Sequence, residues 1–112
     1  MAKGPEKPLF VPLNGRFIDD FEAGRKTEEF RPYGPRWNER TCRIGRAVVL
    51  SYGYGKARRL QGVITGFEAH LEPTLTEAWA ACYGEKLRDR PDVRAACIRI
   101  GDLRPWTDPS GA

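Results

Sequence analysis

The densest run of reactive side chains is Gly24-Arg25-Lys26-Thr27-Glu28-Glu29-Phe30-Arg31. Successive side chains of a strand point to opposite faces, so Thr27, Glu29 and Arg31 share one face and a Glu29–Arg31 pair is expected. Lys26 follows the glycine directly, where alternation does not yet fix its direction. A lysine held against an apolar wall loses its charge readily and serves as base or nucleophile, while a neighbouring carboxylate keeps it protonated or exchanges protons with it. The same residues also suit a solvated strand with weak salt bridges, and spacing alone leaves both readings open. His70 is the single histidine, which argues against a Ser-His-Asp triad, a Cys-His dyad and a His-based zinc site. Proton transfer, if any, falls to Lys, Glu, Tyr or Thr. Three cysteines (Cys42, Cys82, Cys97) without a C-x-x-C spacing argue against a disulfide framework or a zinc ribbon. They read as small core or near-surface residues, with Cys42 expected to be the exposed one.

Charge is distributed unevenly. The chain carries +4 overall, yet residues 25–59 hold ten basic and three acidic side chains, or +7, leaving −3 elsewhere. Fourteen of the 19 basic residues are arginine, the side chain suited to bidentate phosphate contacts and to stacking. Tyr33, Trp37, Tyr52 and Tyr54 are interleaved with them, a combination that suits single-stranded nucleic acid or a nucleotide as well as a solvated surface. In the long Pro/Gly-bearing stretch 32–45, Tyr33, Arg36, Trp37 and Asn38 either stack on and hydrogen-bond a base or belong to a loop pinned by Trp37. Tyr52-Gly53-Tyr54-Gly55-Lys56 either brings backbone amides to a phosphate or forms a plain hairpin turn; its spacing is not that of a P-loop. With Arg58 and Arg59, these residues complete the candidate nucleic-acid contacts. Glu68, His70 and Glu72 alternate on one strand face and read as surface rather than as a metal site.

These residues must be positioned by a single small domain. At 112 residues the chain is long enough for one core and too short for two. Its 40% hydrophobic content and 11% aromatic content argue against disorder. No apolar run reaches the ~20 residues that span a bilayer, and no secretory signal is recognised, so a cytoplasmic protein without membrane, metal or cofactor is expected. Its oligomeric state is not fixed by these features. Residues 1–8 read as a loose tail, 9–104 as the domain and 105–112 as a second tail anchored by Trp106.

Leu9–Leu13 is expected as an edge strand because Pro12 cannot donate to a ladder. A helix over residues 16–23 buries Phe17 and Phe21 and ends at Gly24. Strands follow at 26–31, 46–51 and 57–70, the last bent at Gly62 and Gly66. Thr74-x-x-Glu77 reads as a capping box for a helix through Tyr83 that ends at Gly84, and residues 95–100 close the sheet. The order β-α-β-β-β-α-β predicts an α+β fold: a curved mixed sheet or small barrel of five or six strands with two short helices.

The pattern G-x-K-x-x-E-x-R after a short amphipathic helix resembles the ASCH domain, a PUA-like β-barrel family linked to RNA. Arg16-Phe17-x-Asp19-Asp20-x-x-Ala23-Gly24-Arg25-Lys26-Thr27 resembles the small bacterial N4-acetylcytidine amidohydrolases of that family. Thr74-Leu75-Thr76-Glu77 recurs at the start of their second helix. The resemblance implies that Lys26 handles the proton. Glu29 stands where those amidohydrolases carry their nucleophilic threonine and agrees with the broader ASCH pattern, with Thr27 as a substitute hydroxyl. Their catalytic glutamate falls near Tyr83, or on Glu85 with a two-residue shift. The resemblance thus implies hydrolysis of an N4-acylcytidine by Lys26 and Glu29, with the base stacked on Trp37 or Tyr33 and Arg31 holding Glu29 ionised. The alternatives are a non-catalytic reader of RNA or of a modified base in the same cleft, and a small accessory or inhibitor protein reusing the fold.

Overall fold

The computed structural model describes residues 6–108. Strand β1 (Leu9–Leu13) leads into helix α1 (Gly15–Glu22), then β2 (Glu28–Pro32), β3 (Ala47–Tyr52), β4 (Arg59–His70), a single 3-10 turn over Glu72–Leu75, helix α2 (Glu77–Tyr83) and β5 (Ala95–Pro105). The five strands lie in the order β1-β3-β4-β5-β2, with β1 parallel to β3 and every other pair antiparallel. This mixed sheet curls into a half-barrel, so the architecture is α+β with five strands and two helices.

Alternation explains the layering. On β5, Ala96, Ile98 and Ile100 face the main core beside Val11, Ile18, Phe21, Val48, Leu50 and Ile64. Ala95 and Cys97 face the opposite side, where Trp79 of α2 covers them together with Phe30, Tyr83 and Leu87. Residues 95–98 of β5 are therefore buried on both faces, while Arg99 and residues 101–105 are not, and the two helices do not share a core. The curl comes from two register shifts between β4 and β5. Opposite Gly62, β5 carries the extra residue, and Asp102 takes a left-handed φ of 58°. Three residues on, β4 carries the extra residue at Thr65, beside Gly66. A Cβ at Gly62 would lie 2.8 Å from the Gly101 carbonyl oxygen, so the close strand approach requires glycine there.

Several expectations need correction. The second helix is capped by Thr76, whose Oγ1 accepts from the Trp79 N–H at 3.1 Å. Thr74 lies in the preceding 3-10 turn and donates its hydroxyl to the Leu71 carbonyl. β2 begins at Glu28, two residues later than expected. Gly84 ends α2 with right-handed angles (φ −52°, ψ −45°). β5 runs on through Pro105, so Gly101–Arg104 belong to the sheet, and Trp106 continues against the Arg59 guanidinium. The expected loose tail is tied down where it is described: Glu6 pairs with Arg43 and Arg46, and the Lys7 carbonyl accepts from Arg46. Residues 1–5 and 109–112 of the two expected tails lie outside the described residues. Cys42 is fully buried and Cys82 is the exposed cysteine, the reverse of the expectation.

Candidate functional site

The site begins at the end of α1. Gly24 adopts φ 78°, and its N–H donates to the Phe21 carbonyl while the Arg25 and Lys26 N–H groups both reach the Asp20 carbonyl. This left-handed stop turns the chain back over its own helix. Lys26 thereby lands above the face that α1 presents: its Nζ lies 5.2 Å from the Phe17 ring centroid, 5.5 Å from Phe21 and 5.4 Å from Phe30 of β2. Three ring faces attract the ammonium electrostatically, and Glu29 Oε1 stands 3.5 Å from it.

Glu29 is buried at 6% exposure, and its two oxygens are divided between two cations. Oε1 faces Lys26, and Oε2 accepts from Arg31 Nε at 2.7 Å. Arg31 in turn lies with its guanidinium carbon 4.9 Å from the Trp37 ring and donates through Nη2 to the Pro12 carbonyl. An unpaired carboxylate at this depth would carry a large desolvation penalty, so the two cations are what permit it. The expected Glu29–Arg31 pair is present, and Lys26 joins it.

Lys26 and Glu29 of this cluster line a cavity of about 540 Å³. The rest of its lining is mostly apolar: Phe17 from α1, Phe30 from β2, and Trp79, Cys82 and Tyr83 from α2, joined by Glu72, Pro73 and Thr76. A smaller recess of about 260 Å³ shares Phe17, Glu29, Cys82 and Tyr83 and extends to Pro12, Leu13, Asn14 and Arg31. Apolar walls with a few converging polar groups are the usual make-up of a small-molecule site, and the volume is in the usual range. Burial pushes the Tyr83 phenol above its ordinary value, while Arg31 lowers it and Glu29 raises it. Tyr83 is therefore a neutral hydrogen-bond donor at the mouth of a charged cluster.

Of the expected catalytic residues, Lys26, Glu29 and Tyr83 meet at the cavity, and two do not. Thr27 is exposed and outside the lining, its carbonyl accepting from the Ile100 N–H. Glu85 is exposed and pairs with Arg88 at 3.6 Å. The expected base-stacking residues are also engaged elsewhere. Trp37 is buried, facing Arg31 on one hand and Arg36, 5.5 Å from its ring, on the other. The Tyr33 hydroxyl donates to the Glu39 carboxylate, which raises the phenol and lowers the acid, and its ring lies 6.4 Å from Phe67. Asn38 spends its side chain inside the loop: Nδ2 donates to the Gly34 carbonyl, and Oδ1 accepts from the Arg40 and Thr41 N–H groups. The 32–45 stretch is thus the pinned loop of the two readings, and the rings that line the cavity are Phe17, Phe30, Trp79 and Tyr83. Trp79, Cys82 and Tyr83 stand at i, i+3 and i+4, a signal that marked one helix face without saying that it lines a cleft.

The basic stretch is largely answered by acids from outside it. Arg25 pairs with Asp20, Arg43 and Arg46 with Glu6, Lys56 with Asp108, and Arg58 with Asp19 and Glu22. Arg36, Arg40 and Arg59 make no ion pair among the described residues. Residues 52–56 form a plain hairpin turn, with the Tyr54 and Gly55 carbonyls accepting from Arg59. His70 lies between Glu68 and Glu72, and no group of His, Cys, Asp and Glu suited to a metal ion occurs among the described residues. No helix among them is long and apolar enough to cross a membrane. No protein-family model, curated protein or solved structure matches the chain.

Proposed function

We propose that the chain is an ASCH-type, PUA-like module that takes an N4-acylated cytidine into this cavity and hydrolyses its amide. The observation that carries the reading is the buried Glu29 carboxylate, shared between Lys26 and Arg31, in the lining of a largely apolar cavity. Water is the nucleophile, since Thr27 lies outside the lining. It attacks the acyl carbon, and the Lys26–Glu29 pair takes its proton. Tyr83, a neutral donor, hydrogen-bonds the carbonyl oxygen as negative charge develops on it. The carbon–nitrogen bond breaks, the pair returns the proton to the departing N4 amine, and cytidine and a carboxylic acid leave. Phe17, Phe30 and Trp79 supply faces for the base. Incubation with N4-acetylcytidine, followed by absorbance, tests this: turnover is expected, and Lys26→Ala or Glu29→Gln lowers it by about 10²–10⁴-fold.

A second reading is a non-catalytic binder of a modified base in the same cavity. It is favoured by the engagement of both Glu29 oxygens, as in a structural ion pair. No turnover above the Lys26→Ala control, together with a thermal shift on adding the acylated nucleoside that Trp79→Leu abolishes, selects this reading.

A further inference from the structure

We propose that the chain carries a second site, separate from the cavity, on which single-stranded nucleic acid stacks: the ladder formed by Tyr54, Phe10, Arg59 and Trp106. The Tyr54 and Phe10 rings lie 5.8 Å apart with planes 29° from parallel. The Arg59 guanidinium carbon follows at 5.2 Å from the Phe10 centroid and 4.9 Å from that of Trp106. Four flat groups from β1, the β3–β4 turn, β4 and the residue after β5 thus form one continuous series. None of the four lines the cavity or its recess.

The ladder does not end in the core. Its outer rung, Tyr54, is 80% exposed. The turn that carries Tyr54 is held without its ring: Arg59 donates from Nε to Ser51 Oγ at 3.2 Å and to the Gly55 carbonyl at 3.0 Å, and from Nη2 to the Tyr54 carbonyl at 3.2 Å. These bonds order the backbone of the turn, and the Phe10 ring packs against the Tyr54 ring, so a base stacking on Tyr54 meets a surface already ordered. The charge is right for a phosphate backbone. Arg59 and the exposed Arg104, two residues before Trp106, make no ion pair among the described residues, and Lys56 at the turn, though 3.7 Å from Asp108, keeps 68% of its side chain exposed. Every base has a π-face, so the site takes a single strand with little sequence preference.

The test is fluorescence anisotropy of a short labelled oligouridylate with the full chain at low salt. Binding is expected, with Tyr54→Ala weakening it about 10- to 100-fold and Tyr54→Phe retaining it. Arg104→Gln should reduce the slope of log K against log salt by about 0.7. Excess N4-acetylcytidine, which addresses the cavity, should leave the strand bound, so the outcome is independent of whether the nucleoside is hydrolysed. Absence of binding at low salt overturns the proposal, as does binding that Tyr54→Ala does not change or that the nucleoside displaces. Self-association lost in Tyr54→Ala, without strand binding, also overturns it and makes the ladder a contact between protein chains.

Discussion

Arg31 joins the two edges of the sheet: from β2 its guanidinium donates to the Pro12 carbonyl of β1, across the open side of the half-barrel. Pro12 has no N–H of its own and sits where a strand lacks an outer partner. The same guanidinium holds Glu29 at 2.7 Å, so one side chain closes the seam and permits the buried carboxylate beneath it.

Replacing that guanidinium should therefore be costly. Arg31→Met leaves Glu29 buried with Lys26 alone, a loss of about 3–5 kcal/mol in urea denaturation. The double variant Arg31→Met, Glu29→Leu removes the orphaned carboxylate and leaves Lys26 with only the Phe17, Phe21 and Phe30 rings, so it should recover part of that loss. Equal destabilisation in single and double variants would place the effect in the Pro12 seam instead.

Tyr83 separates function from stability. Its ring packs 4.6 Å from Trp79, which Tyr83→Phe preserves. Midpoint and slope of unfolding should barely move, while turnover of the acylated nucleoside falls by about 10²–10³-fold if the hydroxyl faces the developing oxyanion. Unchanged kcat would remove Tyr83 from the mechanism.

The three cysteines should differ sharply in reactivity. Burial raises the Cys42 thiol and pushes Cys97 up to about 11, whereas Cys82 is exposed in the cavity wall. A thiol reagent at mildly alkaline pH should therefore modify one equivalent rapidly, at Cys82, and the others only on unfolding. The linkage has a definite sign: between an unfolded thiol near 9 and a folded one near 11, only the unfolded chain has lost the Cys97 proton. Stability from this group is complete below that window and falls as pH rises through it. Cys97→Ala should flatten that fall.

The two threonines before α2 should behave differently. Thr76→Ala removes the cap on the Trp79 N–H and should cost about 1 kcal/mol. Thr74→Ala loses only a hydroxyl bond within the 3-10 turn and should cost less. The reverse ranking in thermal melts would restore Thr74 as the stop signal.

What could be read from the sequence follows the range of the forces involved. β1, α1 with its Gly24 stop, and the Glu29–Arg31 pair are set by neighbours within a few residues, and the sequence reading locates each of them. The Thr74 capping box is displaced because Glu72–Leu75, with Pro73 in second position, forms a 3-10 turn, which moves the cap two residues on. The sequence reading ends the last strand at residue 100, but the left-handed Asp102 is a bulge inside β5, which runs on to Pro105. The burial of Trp37 and Cys42, the return of Glu6 to Arg43, and the joining of α2 to Lys26 all depend on contacts between distant segments. No local spacing encodes them, which is why the sequence points to the loop and not to α2 for the aromatic rings that line the cavity.

The position of β2 at the sheet's edge has a consequence for the order of assembly. Its ladder partner is β5 alone, with Glu29 opposite Ile98, close to the far end of the chain. A polypeptide emerging from the ribosome can form the β3–β4 hairpin early, but Glu28–Pro32 has no strand to pair with until residues 95–99 are made. Long-range closure of this kind is slow, since the loop entropy is lost before the contacts reward it. The Lys26–Glu29–Arg31 cluster is therefore among the last parts of the molecule to take shape, and a nascent chain lacking β5 holds the reactive residues without their site.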